Sequence, residues 1–138
     1  MSDLIAVCSS AAITEEALRR FVLNAGGYEF KDMEGVHLAE GKACIWIYID
    51  NSVIDDTRFD APKAYQQMIE KLGEEAQTCI VIDLMNPPEQ SHRLALDFAL
   101  ACAETWPCVV NAMDQDFHAY SQEDLMRMRE EGRTFFGM

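Results

Sequence analysis

The segment Ala43–Ile49 limits the possible folds of this chain more than any other. It alternates isoleucine at positions 45, 47 and 49 with cysteine, tryptophan and tyrosine at positions 44, 46 and 48. Successive side chains of a strand point to opposite faces of a sheet, so a strand that is apolar on both parities needs cover on both sides. The segment therefore predicts a strand in a sheet that carries helices on both faces.

The remaining apolar runs supply the other strands of this sheet. Short runs at Leu4–Val7, Thr78–Leu84 and Cys108–Ala112 are typical of buried strands, whereas the mixed sequence of Tyr28–Leu38 predicts an edge strand. Asp50–Asp60 follows the predicted strand Ala43–Ile49 and is interpreted as an acidic loop.

Four helices are predicted from apolar spacing and capping residues. The segment Ser91–Trp106 is apolar nearly all round and is expected to be the hub of the core. The other three begin at recognisable caps, which are Thr14 ahead of Glu15 and Glu16, Asp60 ahead of Pro62, and a capping box of Ser121 with Asp124.

Together these elements predict one α+β domain, an α/β sandwich that spans residues 1–138. Their order is β-α-β-β-α-β-α-β-α, which gives a mixed sheet covered by helices. The first six elements match the split βαβ, ferredoxin-like arrangement. A chain of 138 residues is long enough to bury one core.

The net charge of the chain favours one class of partner. It contains 24 Asp and Glu against 11 Lys and Arg, a formal net charge of −13, with an isoelectric point near 4.4. Such a field repels phosphate backbones and anionic lipids and attracts basic surfaces. We expect a basic protein partner, no nucleic acid and no membrane, with the chain itself a monomer or a weak homodimer.

The five cysteines all lie in or beside apolar runs, and their odd number argues against a disulfide framework. Free thiols in a reducing compartment are the simpler interpretation. The segment Met1–Leu4 does not resemble a signal peptide, and no stretch is long and apolar enough for a membrane span. We therefore expect a cytoplasmic protein.

No motif predicts catalysis, a metal ion or a cofactor. The three histidines are far apart, and His92 and His118 are interpreted as solvated surface residues. The Asp50–Asp60 segment lacks the glycine and terminal glutamate of an EF-hand-type calcium loop. Asp114 and Asp116 flank an expected turn, where aspartate commonly bonds its own backbone.

Negative charge is concentrated in two places. From Leu72 to Met126 there are ten carboxylates and the one cation Arg93, and the Asp50–Asp60 segment adds to them. Like charges held together cost stability, which a basic partner relieves. The residues predicted to bind this partner are Asp50, Asp55, Asp56, Phe59, Asp60, Glu89, Asp114, Asp116 and Phe117.

Several sequence features resemble small bacterial immunity proteins of contact-dependent growth-inhibition and other polymorphic toxin systems. They are Trp46-Ile-Tyr-Ile, the helix Leu94-Ala-Leu-Asp-Phe-Ala-Leu-Ala that ends in Trp106-Pro, and the closing Tyr120-Ser-Gln-Glu-Asp-Leu. The resemblance implies tight binding to one cognate toxin domain, often a nuclease, whose active site or substrate path is blocked. The resemblance assigns no functional role to any particular residue of this chain.

Two alternatives remain open from the sequence alone. One is a small metal-dependent or cysteine-dependent enzyme that uses Asp50, Asp55, Asp56, His92 or Cys108. The other is a non-enzymatic adaptor or subunit that buries the last helix and the C-terminal segment against another chain, through Leu125, Met126, Met128, Phe135 and Phe136.

Overall fold

A six-stranded antiparallel sheet forms the middle layer of the computed structural model, which describes residues 3–29, 31, 34–85, 88–112 and 118–135. The strands are β1 (Asp3–Ser9), β2 (Val36–Glu40), β3 (Ala43–Ile49), β4 (Thr78–Leu84), β5 (Cys108–Ala112) and β6 (Ala119–Tyr120). The helices are α1 (Glu15–Asn24), α2 (Ser52–Asp60), α3 (Pro62–Leu72), α4 (His92–Thr105) and α5 (Gln122–Glu130). A 3-10 turn, Pro88–Ser91, precedes α4.

The strand order is β2-β3-β4-β1-β5-β6. The α+β class and the helical cover are confirmed, but every strand pairing is antiparallel, so the expectation of a mixed sheet was wrong in this detail. The strands β4 and β5 are parallel to each other with β1 between them. The split βαβ unit is therefore β4-α4-β5 and not part of the first six elements, because β1 pairs with the distant strands β4 and β5.

Two apolar clusters cover the two faces of the sheet, as the sequence of β3 predicts. On one face α1, α4 and α5 pack on Ile45, Ile47 and their neighbours. On the other face α2 and α3 pack through Ile54, Tyr65 and Met68. The role of α4 as the hub is confirmed, because eight of its residues are buried.

The helix caps confirm two predictions and correct one. The Thr14 side chain accepts the amide of Ala17 at 3.0 Å, and Ser121 forms the expected capping box with Asp124. Asp60, however, caps nothing: it is the last residue of α2, and α3 begins after Ala61 without a side-chain cap. The acidic loop expected at Asp50–Asp60 is thus a helix over most of its length.

The edge strand exists but is shorter and later than predicted. It covers Val36–Glu40, and Tyr28 contributes only an isolated bridge to His37. Gly35 precedes it with a positive φ of 81°, and a Cβ there would lie 2.5 Å from the Ile47 carbonyl oxygen. Only glycine fits this close approach to β3. Within the described residues, no helix is long and apolar enough to cross a membrane.

Candidate partner-binding surface

Helix α2 is anchored at its start by the two polar residues that follow β3. The Asp50 carboxylate accepts the amide of Ser52 at 3.1 Å. The amide oxygen of Asn51 accepts the backbone N–H of Cys79 in β4 at 2.9 Å. These two hydrogen bonds hold the start of α2 against the sheet. The side of the helix that packs on the sheet contains Ile54 and Thr57, which are buried.

The opposite side of α2 presents an apolar side chain among carboxylates. Phe59 is 87% exposed, Asp55 and Asp56 are exposed one helical turn before it, and Asp60 is its exposed neighbour in sequence. We call these four residues the α2 face. An exposed phenylalanine in an acidic surround is typical of the apolar anchor of a polar interface.

Arg58 lies at the margin of the α2 face and does not cancel its charge. Its guanidinium is 3.6 Å from the Asp55 carboxylate and lies over the ring of Tyr65, with 4.9 Å to the centroid. Since the side chains of Arg58 and Asp55 are both exposed, the pair contributes little to stability. The face keeps two carboxylates, Asp56 and Asp60, in excess.

A cleft of about 570 Å³ lies beside β3 and shares Asp50 with the start of α2. Trp46 and Tyr48 line it, with their ring centroids 4.5 Å apart. The indole N–H of Trp46 donates to the Glu34 carbonyl oxygen at 2.8 Å, which holds the segment before β2 against β3. The hydrogen bond to Glu34 and the contact with the Tyr48 ring therefore hold the Trp46 ring in place.

Four carboxylates and one guanidinium line the same cleft. Arg19 is the cation, and its Nε atom is 2.6 Å from a Glu29 carboxylate oxygen. The other three carboxylates belong to Glu15, Glu34 and Asp50. Burial, together with the charges of Asp83 and Asp50, raises the pKa of Tyr48, so its hydroxyl stays neutral at physiological pH.

The structure brings together five of the nine residues predicted to bind a partner. Asp50, Asp55, Asp56, Phe59 and Asp60 all lie on α2 or at its start. Glu89 is in the 3-10 turn that follows Leu84, at the opposite end of the strands, because Ile49 pairs with Ile80 whereas Ile45 pairs with Leu84. Asp114, Asp116 and Phe117 lie outside the described residues.

Sequence reasoning missed the cleft. Its aromatic wall comes from β3. Its carboxylates come from Glu15 in α1, from Glu29 and Glu34 before β2, and from Asp50 after β3, and these parts are distant along the chain. The one available signal was the pair of aromatic residues, Trp46 and Tyr48, on one parity of a strand next to the sheet edge.

The acidic stretch Leu72–Met126 is partly neutralised by two cations that flank it in sequence, Lys71 and Arg127, and by Arg93 within it. Asp124 lies 2.9 Å from the Lys71 ammonium and 3.8 Å from the Arg127 guanidinium. Asp97 lies 3.6 Å from Arg93. At least two of the ten carboxylates of this stretch therefore have a cationic partner.

The residues of the cysteine-enzyme alternative do not come together. His92 is only 4% exposed, so the expectation of a solvated histidine was wrong. It begins α4, whereas Cys108 follows the end of α4, and a helix of 14 residues is about 21 Å long. Burial also raises the pKa of Cys108 to about 12, which suppresses the nucleophilic thiolate.

Metal binding and the adaptor alternative find equally little support in the described part of the chain. Within it, no group of three or more His, Cys, Asp and Glu residues is placed to hold a metal ion. Leu125, Met128 and Phe135 are buried in the chain's own core, which leaves Met126 exposed on α5. Phe136 lies outside the described residues.

Comparisons of this chain with protein-family models, with curated proteins and with solved structures each gave no match.

Proposed function

We propose that this chain is a non-enzymatic inhibitor of the immunity-protein kind, which binds and neutralises a basic toxin domain on the α2 face. The observation that carries the proposal is the 87% exposure of Phe59 between Asp55, Asp56 and Asp60. Burying such a side chain at an interface gains about 1.5–3 kcal/mol. The surrounding carboxylates select a partner of opposite charge.

The apolar and the charged residues of the α2 face are expected to contribute differently to binding. A large apolar side chain at the centre of an interface supplies most of the affinity, whereas exposed charges around it mainly accelerate association. Phe59 therefore sets the dissociation rate, and Asp56 and Asp60 steer the basic domain toward it. The net charge of −13 disfavours nucleic acid and anionic membrane as the bound partner.

The cysteines support a reducing, cytoplasmic site of action. Cys8 and Cys79 are directly opposed on β1 and β4, and both are buried. Opposed thiols of this kind remain reduced where glutathione and thioredoxin keep the compartment reducing. The proposed inhibitor thus meets its toxin inside the cell that makes it.

The decisive experiment measures binding of this chain to the product of the reading frame beside its gene. We expect tight binding and protection of cells from that product. Phe59→Ser should weaken binding by about 30-fold or more, as expected for an interface hot spot. Met126→Ser is the matched control, because Met126 is a large apolar side chain that is 41% exposed on a different helix, α5.

A kinetic measurement tests whether Asp56 and Asp60 accelerate association with the partner. Asp56→Asn with Asp60→Asn should slow association by about threefold or more at low salt and leave dissociation nearly unchanged. Glu123→Gln with Glu130→Gln alters the net charge equally on α5 and should have a smaller effect. If the neighbouring product does not bind, or if Phe59→Ser binds it like the wild type, the proposed function is wrong.

A further inference from the structure

The cleft beside β3 combines aromatic walls with an excess of negative charge. Its lining contains four carboxylates and one guanidinium, which leaves three carboxylates in excess. Arg19 is already committed to Glu29 at 2.6 Å and to Glu16 at 3.7 Å. Among the described residues, Glu15 and Glu34 have no ion-pair partner.

We infer that this cleft receives an arginine side chain of the basic partner, with the guanidinium against Trp46 and Tyr48 and within reach of Glu15, Glu34 and Asp50. The inference rests on the proposed function, because it assigns a second anchor point to the same partner. A volume of about 570 Å³ falls within the roughly 300–1,000 Å³ typical of ligand sites.

Two features select arginine rather than lysine. A guanidinium is planar and stacks on aromatic rings, whereas an ammonium is a compact and strongly hydrated charge. Carboxylates from α1, from the segment before β2 and from the end of β3 surround a delocalised cation better than a point charge.

The cleft adjoins the start of α2, the helix that carries the α2 face. Asp50 lines the cleft, and its carboxylate also accepts the amide of Ser52 at the start of α2. A partner seated on Phe59 therefore needs only a neighbouring basic segment to reach the cleft. The partner's arginine sets the register of the complex, and Phe59 supplies the apolar contact.

The first test uses N-acetyl-arginine-N-methylamide as the probe, followed by the indole N–H resonances of this chain. We expect the Trp46 resonance to shift in a saturable way. Trp106, the only other tryptophan, packs on Phe21 with 4.9 Å between ring centroids and serves as an internal reference. The neutral citrulline analogue should not bind, and the lysine analogue should bind less tightly.

Paired variants locate the binding. Glu15→Gln with Glu34→Gln should weaken binding of the arginine probe by about tenfold or more. Glu104→Gln with Glu123→Gln removes the same charge from exposed positions elsewhere and should change it by less than about twofold. Circular dichroism verifies that each variant is folded. An unshifted Trp46 resonance, equal binding of citrulline, or an equal effect of the control pair would overturn the inference.

A third variant separates this inference from the proposed function. Phe59→Ser should weaken binding of the neighbouring reading frame's product by about 30-fold or more and leave binding of the arginine probe unchanged, since Phe59 does not line the cleft. If the probe fails to bind while the Phe59-dependent complex forms, only the arginine site is wrong. If the probe binds and the complex does not form, the proposed function is wrong.

Discussion

The hydroxyl group of Ser91 serves both backbone groups of Cys44. It accepts the Cys44 N–H at 2.9 Å and donates to the Cys44 carbonyl oxygen at 3.0 Å. Ser91 ends the 3-10 turn before α4 and is 1% exposed, whereas Cys44 lies in β3. The Cys44 carbonyl oxygen also accepts the Met85 N–H at 3.0 Å, so beyond the end of β4 the Ser91 hydroxyl supplies the hydrogen bond of the Cys44 amide.

Replacing Ser91 by alanine should therefore leave the amide of Cys44 unpaired in a partly buried site. We expect Ser91→Ala to lower the free energy of unfolding by about 1–3 kcal/mol, measured by urea denaturation. Thr105→Ala is the control, because its exposed hydroxyl bonds only to Ala101 within α4 and the change should be within about 0.5 kcal/mol. Equal effects of the two variants would contradict this role of Ser91.

The capping box of α5 predicts a similar loss at Asp124. Burial alone would raise the pKa of Asp124, but the backbone N–H of Ser121 and the Lys71 ammonium, both bonded to its carboxylate, lower it overall. A lowered pKa means stabilisation that is present above the usual value of 3.8 and is lost as the pH falls through the folded-state value.

Asp124→Asn should consequently cost about 1–2 kcal/mol at pH 7 and much less near pH 3. Glu123→Gln, at an exposed neighbouring position, is the charge-matched control. Urea denaturation at the two pH values measures both. A loss that is equally large at pH 3 would show that the effect is not electrostatic.

His37 predicts destabilisation in mild acid. It is 1% exposed between the rings of Tyr28 and Trp46, and burial lowers the pKa of its imidazole below 6.5. The unfolded chain then binds more protons between the two pKa values, so stability should fall as the pH drops below about 6.5. His37→Gln should flatten this part of a stability profile recorded from pH 7.5 to 5; an unchanged slope would assign it to other groups.

The thiols should differ sharply in reactivity. Burial raises the pKa of Cys102 and of Cys108, and a hydrogen bond to Cys8 together with burial raises that of Cys79. Cys44 is half-buried, near the Tyr28 hydroxyl, and should react first with a thiol reagent at pH 8. All five should react in urea. Rapid native labelling that persists in Cys44→Ser would contradict this order.

Much of the secondary structure could be predicted from local sequence patterns. The alternation in β3 predicted cover on both faces, the all-round apolar sequence of α4 predicted the hub, and Thr14 and Ser121 marked two helix starts. Each of these signals concerns neighbouring residues within one element, where side-chain direction follows directly from backbone geometry.

Helix α2 was missed because its local signal is weak. Its buried side consists of Ile54 and Thr57, and aspartate, valine and threonine have poor helix propensity. Packing on the sheet and the Asn51 bond to Cys79 stabilise the helix, and neither is visible in the sequence of the segment. Tertiary contacts therefore decided both the helix and the outward direction of Phe59.

By itself, the sequence determined the α+β class, the covered sheet, the central helix and the strong negative charge, since each depends on composition or on short-range periodicity. Only the tertiary structure decided the antiparallel strand order, the α2 face and the cleft of Trp46 and Tyr48. Strand pairing and clefts join residues tens of positions apart, and their free energy depends on packing and loop closure that no local pattern records.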